Sequence, residues 1–245
     1  MSHFSVAVFT MPNGKTVEQL LAPYQENNMG DCPKEFLEFC CVEDELREEY
    51  KECAEKDKYP DYDTYALKYA GYKKDKKTGM YGYWYNPNSK WDWYQIGGRF
   101  SGMLKLKPGA KGKKGERSWT NASEHIPDDM VDSARIKDID FEWMIRENVQ
   151  LYEKFWIESE GKDEYIRYIS YGINPGMTYE QYMEKAIAFS TFAVILPGGQ
   201  WYEEGQMGWW AIVSNSDREW HKNYKKRFID TADPEWTLTI VDCHI

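Results

Sequence analysis

The chain carries four histidines, His3, His125, His221 and His244, and the first and last stand near its two ends. His3 opens an alternating apolar stretch that runs to Thr10, and His244 closes another that begins at Trp236. Paired antiparallel, the two stretches bring both imidazoles to one sheet edge. Two neighbouring imidazoles can act as general base and general acid in metal-free phosphodiester cleavage. One takes the proton of a hydroxyl or water, and the other protonates the leaving oxygen. His3 and His244 are therefore the expected catalytic residues.

A second group of reactive types fills Asn86 to Phe100, which contains Lys90-Trp91-Asp92-Trp93-Tyr94 and Gly97-Gly98-Arg99. Large aromatics stack on flat ligands, a Gly pair permits positive φ or close backbone approach, and Arg offers a planar, always-charged fork to phosphate or carboxylate. Such a block suits the wall of a nucleotide pocket. Lys90, Asp92, Trp93, Tyr94 and Arg99 are the expected ligand-binding residues. Strand alternation separates Trp91, Trp93 and Gln95 from Asp92, Tyr94 and Ile96, and the costly burial of an unpaired Asp favours the second set as the ligand side. Trp209, in Met207-Gly208-Trp209-Trp210, is a further stacking residue.

Other chemistries have weaker support. Asp92, Asp242, His3 and His244 are types that bind a divalent metal, but no HxH or HxxxH spacing occurs, and neither a metal nor a cofactor is expected. The cysteines Cys32, Cys40, Cys41, Cys53 and Cys243 include no CxxC, so they read as reduced thiols. There is no GxSxG, and Cys243 beside His244 in a strand points to the opposite face. The basic run Pro108 to Gly115 could grip phosphate, although it lacks the full phosphate-loop pattern and reads more simply as a solvated hairpin tip.

The bulk numbers set the class. Hydrophobic residues make up 42% of the 245 and aromatics 16%, enough for a sizeable core. Mean hydropathy is −0.77 and the pI is near 5.0. The net charge of −10 argues against a general nucleic-acid coat, which is normally basic. No apolar run approaches the roughly 18 residues of a membrane span. With no leader sequence visible, the expected location is the cytoplasm of a host cell, with no membrane partner; the oligomeric state is not legible.

These residues must be held by a fold, and the periodicity outlines one. Strands are predicted over His3 to Thr10, within Met80 to Lys107, over Thr191 to Leu196, Met207 to Ser214 and Trp236 to His244. Helices are predicted near Thr16 to Leu21, over Lys34 to Lys58, Asp63 to Tyr72, Ile139 to Ile157, Thr178 to Ser190 and Asp217 to Ile229. The expected fold class is α+β: a mixed, mostly antiparallel sheet covered by helices, with a split β-α-β, ferredoxin-like element. No Ser/Gly linker divides the chain, so a single domain over 1–245 is expected, with helical insertions at about 33–72 and 138–190.

Several blocks carry a resemblance. Met1-Ser2-His3-Phe4, Leu21-Ala22-Pro23-Tyr24, Lys90-Trp91-Asp92-Trp93-Tyr94 through Gly97-Gly98-Arg99, Met207-Gly208-Trp209-Trp210 and Asp242-Cys243-His244 resemble an uncharacterised family of tailed bacteriophages and their prophages. The central block departs at Phe100, where a Trp is the family type, so an indole N–H is missing there. The resemblance implies a host-takeover or counter-defence role and transfers no catalytic residue.

The function expected from all this is a phage-type counter-defence protein that recognises a small nucleotide signal and cleaves its phosphodiester by His acid–base chemistry, as a phosphodiesterase-type hydrolase. One alternative is a non-catalytic nucleotide sponge, which needs the aromatic and basic groups without the histidines. The other is an acidic inhibitor whose partner is a host protein, suggested by the charge and by the stretch Glu35 to Asp57.

Overall fold

The structure, a computed structural model, describes residues 2–53, 58–59, 61–120, 122–123, 125–187, 189–207, 213–217 and 219–245. The chain divides into two compact units: Met1–Leu21 with Trp93–Ile245, and Ala22–Asp92.

The larger unit is built on one sheet. Its strands are β1 (His3–Thr10), β2 (Trp93–Gly98), β3 (Gly112–Lys113), β4 (Glu116–Arg117), β5 (Ser133–Arg135), β6 (Ala193–Ile195), β7 (Trp201–Glu203) and β8 (Thr237–His244). The terminal strands pair antiparallel along their whole length, from His3 opposite His244 to Thr10 opposite Thr237, as their alternation leads one to expect. On the far side of β1 lies β6, parallel to it, followed by the antiparallel β7. The outer edge of β8 is shared: β5 pairs with its first residues and β2 with its last, from Val241 opposite Ile96 to His244 opposite Trp93. Between the two, the Ile240 N–H donates to the Asp132 carbonyl at 2.8 Å. β3 extends the sheet antiparallel to β5, and β4 runs parallel to β2. The fold is thus α+β, with a mixed, mostly antiparallel sheet and helices.

Both faces of the central pair are buried, which is why these strands are apolar at consecutive positions. Ala7, Phe9, Leu238 and Ile240 share one face and pack with Phe141, Met144, Phe189, Trp220, Tyr224 and Phe228. Val6, Val8, Val241 and Cys243 occupy the other and are fully buried. The helix Phe141–Ser159 starts where Asp140 accepts the Trp143 N–H at 2.9 Å. The helix Tyr179–Ala186 starts on a complete capping box between Thr178 and Gln181.

In the smaller unit, Glu38–Cys41, Tyr81–Tyr85 and Lys73–Lys74 form an antiparallel sheet with Tyr81–Tyr85 in the middle. Leu46, Tyr65, Ala66 and Tyr81 make its core. The expected helix over Lys34 to Lys58 is here corrected. Glu38–Cys41 is a strand, and the helix is confined to Glu43–Glu52. The aromatic strand Tyr81–Tyr85 needs a partner for its backbone groups, and pairing Phe39 with Trp84 and Cys40 with Tyr83 supplies one. Local acidity and helical composition are overridden by that non-local ladder. Of the expected strand over Met207 to Ser214, Gln206–Met207 pairs antiparallel with Val213–Ser214, and residues 208–212 lie outside the described residues.

β2 ends on a constrained turn. Gly97 and Gly98 have φ of +80° and +55°. A Cβ on Gly98 would stand 2.4 Å from Asp242 Oδ2. Both the backbone sign and the carboxylate demand glycine there. Gly98→Ala is expected to lower stability by more than about 2 kcal/mol in a urea titration, whereas Ala at the open, exposed Gly109, also at positive φ, tests the conformational part alone and should cost only about 1 kcal/mol.

Candidate functional site

The histidine pair assembles. His3 and His244 face each other across β1 and β8, with ring centroids 5.1 Å apart in an edge-to-face contact. Trp93, opposite His244 on β2, completes the row and lies edge-on to His3 at 6.3 Å. One pleat back on the same face is Asp242, which is fully buried. Its Oδ1 lies 2.8 Å from His3 Nδ1. Its Oδ2 accepts the Arg99 backbone N–H at 2.8 Å. An ionised carboxylate can only accept, so His3 carries its proton on Nδ1 and turns Nε2 outward as a potential base.

The Gly-Gly-Arg turn therefore delivers the Arg99 N–H to the carboxylate that orients His3, a structural role for the backbone of that residue. A second buried aspartate, Asp132, does parallel work. Its carboxylate accepts the Gly102 and Gly115 N–H groups, each at 2.6 Å. Nothing in the local sequence around Asp132 signals this role, because its donors come from distant turns.

Opposed residues in an antiparallel pair point to the same side, and Tyr94 stands opposite Cys243 rather than His244. Tyr94 is thus on the face opposite the imidazoles. Cys243 is fully buried there, and burial pushes its thiol well above the ordinary range. The Arg99 side chain is exposed. Lys90 and Asp92 belong to the smaller unit, where the Lys90 N–H donates to the Tyr24 carbonyl and Asn28 Nδ2 donates to Asp92 Oδ2 at 3.2 Å. Trp209 lies outside the described residues. Among the described residues, no group of three or more His, Cys, Asp or Glu side chains is placed to hold a metal ion.

The Tyr94 face carries a groove of about 820 Å³ within the larger unit. Tyr94 and Ile96 of β2, Ser133 of β5, Thr237 and Thr239 of β8 and Thr10 of β1 form its floor. Lys15 enters from the turn after β1, and Lys113 and Lys114 enter from the basic run expected to be a hairpin tip. Within that run Gly112–Lys113 is the edge strand β3, preceded by an exposed turn at Pro108–Gly109. Lys114 also pairs with Asp128 at 3.2 Å. Glu116, at the rim, accepts from Gln95 Nε2 at 3.0 Å. Burial, with the charge of Glu18 as a smaller cause, raises the Tyr94 phenol above its ordinary pKa. It is therefore a neutral hydrogen-bonding group at physiological pH. The basic run is legible in the sequence as a phosphate grip, whereas the convergence of Lys15 with it is not.

Neither a family model, nor a curated protein, nor a solved structure matches the chain. Among the described residues no helix is long and apolar enough to cross a membrane.

Two outcomes follow from these contacts. Asp242→Ala removes a buried acceptor from both His3 and Arg99, and it should lower stability by about 2–4 kcal/mol on denaturant unfolding. The neutral form of Tyr94 is favoured by folding, so its contribution is complete below the unfolded phenol pKa and is lost as pH rises through the higher folded value. In ¹³Cζ-tyrosine NMR, the resonance absent from Tyr94→Phe should titrate above those of exposed tyrosines.

Proposed function

We propose that the larger unit binds a small phosphate-bearing nucleotide in the groove above β2 and β8, as a sequestering protein. The observation that carries this reading is the convergence of Lys15, Lys113 and Lys114 on a groove floored by Tyr94 and by hydroxyl side chains. Ammonium groups meet phosphate as flexible point charges. The neutral phenol and the threonines suit the sugar and base, and Ile96 gives an apolar contact. The volume fits a mononucleotide or dinucleotide, within the ordinary range for small-ligand pockets. The resemblance to bacteriophage and prophage proteins supports a counter-defence role, in which the ligand is a host nucleotide signal withdrawn from its receptor.

A second reading keeps turnover. It rests on the His3–Asp242 contact at 2.8 Å, which orients the imidazole as a general base would require. His244 would then supply the acid, and Trp93, about half exposed, a stacking surface. This reading places the phosphate at the end of the sheet, on the face away from the groove.

Calorimetric titration with inorganic phosphate, mononucleotides and cyclic dinucleotides separates the two. In the first reading a nucleotide binds without being consumed. The Lys15→Ala/Lys113→Ala double variant then loses about 10-fold or more in affinity, and added salt weakens the wild-type complex. Hydrolysis of a nucleotide that disappears in His3→Gln and survives EDTA would favour the second. A folded protein that binds no nucleotide overturns both.

A further inference from the structure

Apart from the residues of the groove and of the histidine row, three further residues form a relay. Ser190 precedes β6, Glu204 follows β7, and His221 lies in the helix Trp220–Tyr224. Ser190 Oγ is 2.8 Å from His221 Nδ1. On the other side of the ring, His221 Nε2 is 3.6 Å from Glu204 Oε1. We propose that Ser190, His221 and Glu204 form an acyl-transfer site in which Ser190 is the nucleophile, His221 the base and Glu204 the positioning residue, with a carboxylic ester as the class of substrate.

A serine hydroxyl is a poor nucleophile until an adjacent base takes its proton, and the base must be oriented by a third group. Both relations are present, Ser190 to His221 at 2.8 Å and His221 to Glu204 at 3.6 Å. The Glu204 carboxylate, 3.6 Å from Nε2, favours the tautomer with its proton on that nitrogen, which leaves Nδ1 as the acceptor for the Ser190 hydroxyl. The ring is used in the opposite sense from the familiar serine-protease triad, where Nε2 meets the serine. Either nitrogen can take and return the proton.

The relay is braced rather than incidental to the surface. Thr191, next to Ser190, accepts the Trp220 indole N–H on its carbonyl at 2.9 Å. Its hydroxyl lies 2.7 Å from the Tyr224 hydroxyl. Trp220 and Tyr224 are fully buried and belong to the helix that carries His221. The neighbours of nucleophile and base are thus locked together, which is the support a reactive geometry needs. Glu204 is fixed as well. Its N–H donates to the Phe192 carbonyl at 2.9 Å, and its Oε1 accepts from Ser216 Oγ at 3.1 Å. The nearby His221 ring, with its charge, holds the Glu204 carboxyl below its usual range despite partial burial. The site is reachable, since the His221 side chain is 34% exposed.

The step balances without a cofactor. Ser190 Oγ bonds to the ester carbonyl carbon as its proton passes to His221 Nδ1. The carbon–oxygen bond to the leaving alcohol breaks, and the alcohol oxygen takes that proton. Water then attacks the acyl-serine, gives a proton to Nδ1, and releases the acid as Ser190 recovers its hydrogen. Neither the groove nor the histidine row takes part, so this inference stands apart from the proposed nucleotide binding.

A fluorophosphonate probe tests it on the full chain. Oγ bonds to phosphorus as fluoride leaves with the serine proton, and the adduct is permanent. Intact mass should show one adduct, and peptide mapping should place it on Ser190. Ser190→Ala should remove it, and His221→Gln should slow labelling at least ~100-fold, with folding checked by circular dichroism. Glu204→Gln should slow labelling and Glu204→Asp should restore it in part, a rescue that a merely structural role would not produce. An adduct on another serine, or no adduct under conditions that label a known serine hydrolase, overturns the proposal.

Discussion

The larger unit depends on what happens to one buried carboxylate. Asp242 has no exposed surface. A carboxylate that deep is tolerated only when its oxygens are matched by donors. It has two, from opposite neighbours: the His3 ring on β1 and the Arg99 N–H after β2. The charge therefore ties three adjacent strands together at one end. It also fixes register, because a slip of one residue would carry the carboxylate to the apolar face beside Val241 and Cys243. The positive φ of Gly98 serves the same constraint, since only a glycine backbone can approach this closely.

Much of this frame is legible in the chain, and the reasons are local. His3–Thr10 alternates cleanly, and both of its faces are apolar enough to mark a central strand. Thr178 and Gln181 carry the spacing of a capping box, and the structure contains it. The strand Glu38–Cys41 is not legible, because its acidic, helix-friendly surroundings are outweighed by a ladder formed with residues more than forty positions away. Likewise the meeting of His3 with His244 follows from strand ends, whereas the grouping of Lys15 with Lys113 requires knowing which turns the sheet brings together. Ser190, Glu204 and His221 have no spacing signature. Their relation exists only after β6, β7 and the helix Trp220–Tyr224 have packed.

The pleat divides the candidate chemistry more sharply than the sequence can. Lys90-Trp91-Asp92-Trp93-Tyr94 reads as one block, yet Trp93 and Tyr94 point to opposite sides of the same strand. Trp93 joins His3 and His244, while Tyr94 joins Thr237, Thr239 and the lysines. The block also crosses from one compact unit to the other between Asp92 and Trp93. A cluster of reactive types in sequence is therefore no measure of a cluster in space.

This division bears on binding against turnover. A phosphate held by Lys15 and Lys113 lies on one side of a sheet whose central strands are buried on both faces over Val6–Phe9 and Leu238–Cys243. His3 and His244 lie on the other side, and no proton can pass between the two through Val241, Cys243 and the backbone ladder. The imidazoles can therefore act only on a ligand that reaches the sheet end directly. There the two rings already touch each other edge to face, so a phosphate must sit beside the pair rather than between them. The groove asks for no such rearrangement, because its lysines and hydroxyls already border an open volume. On geometric grounds, sequestration on the Tyr94 face requires less of this structure than cleavage at the histidine row.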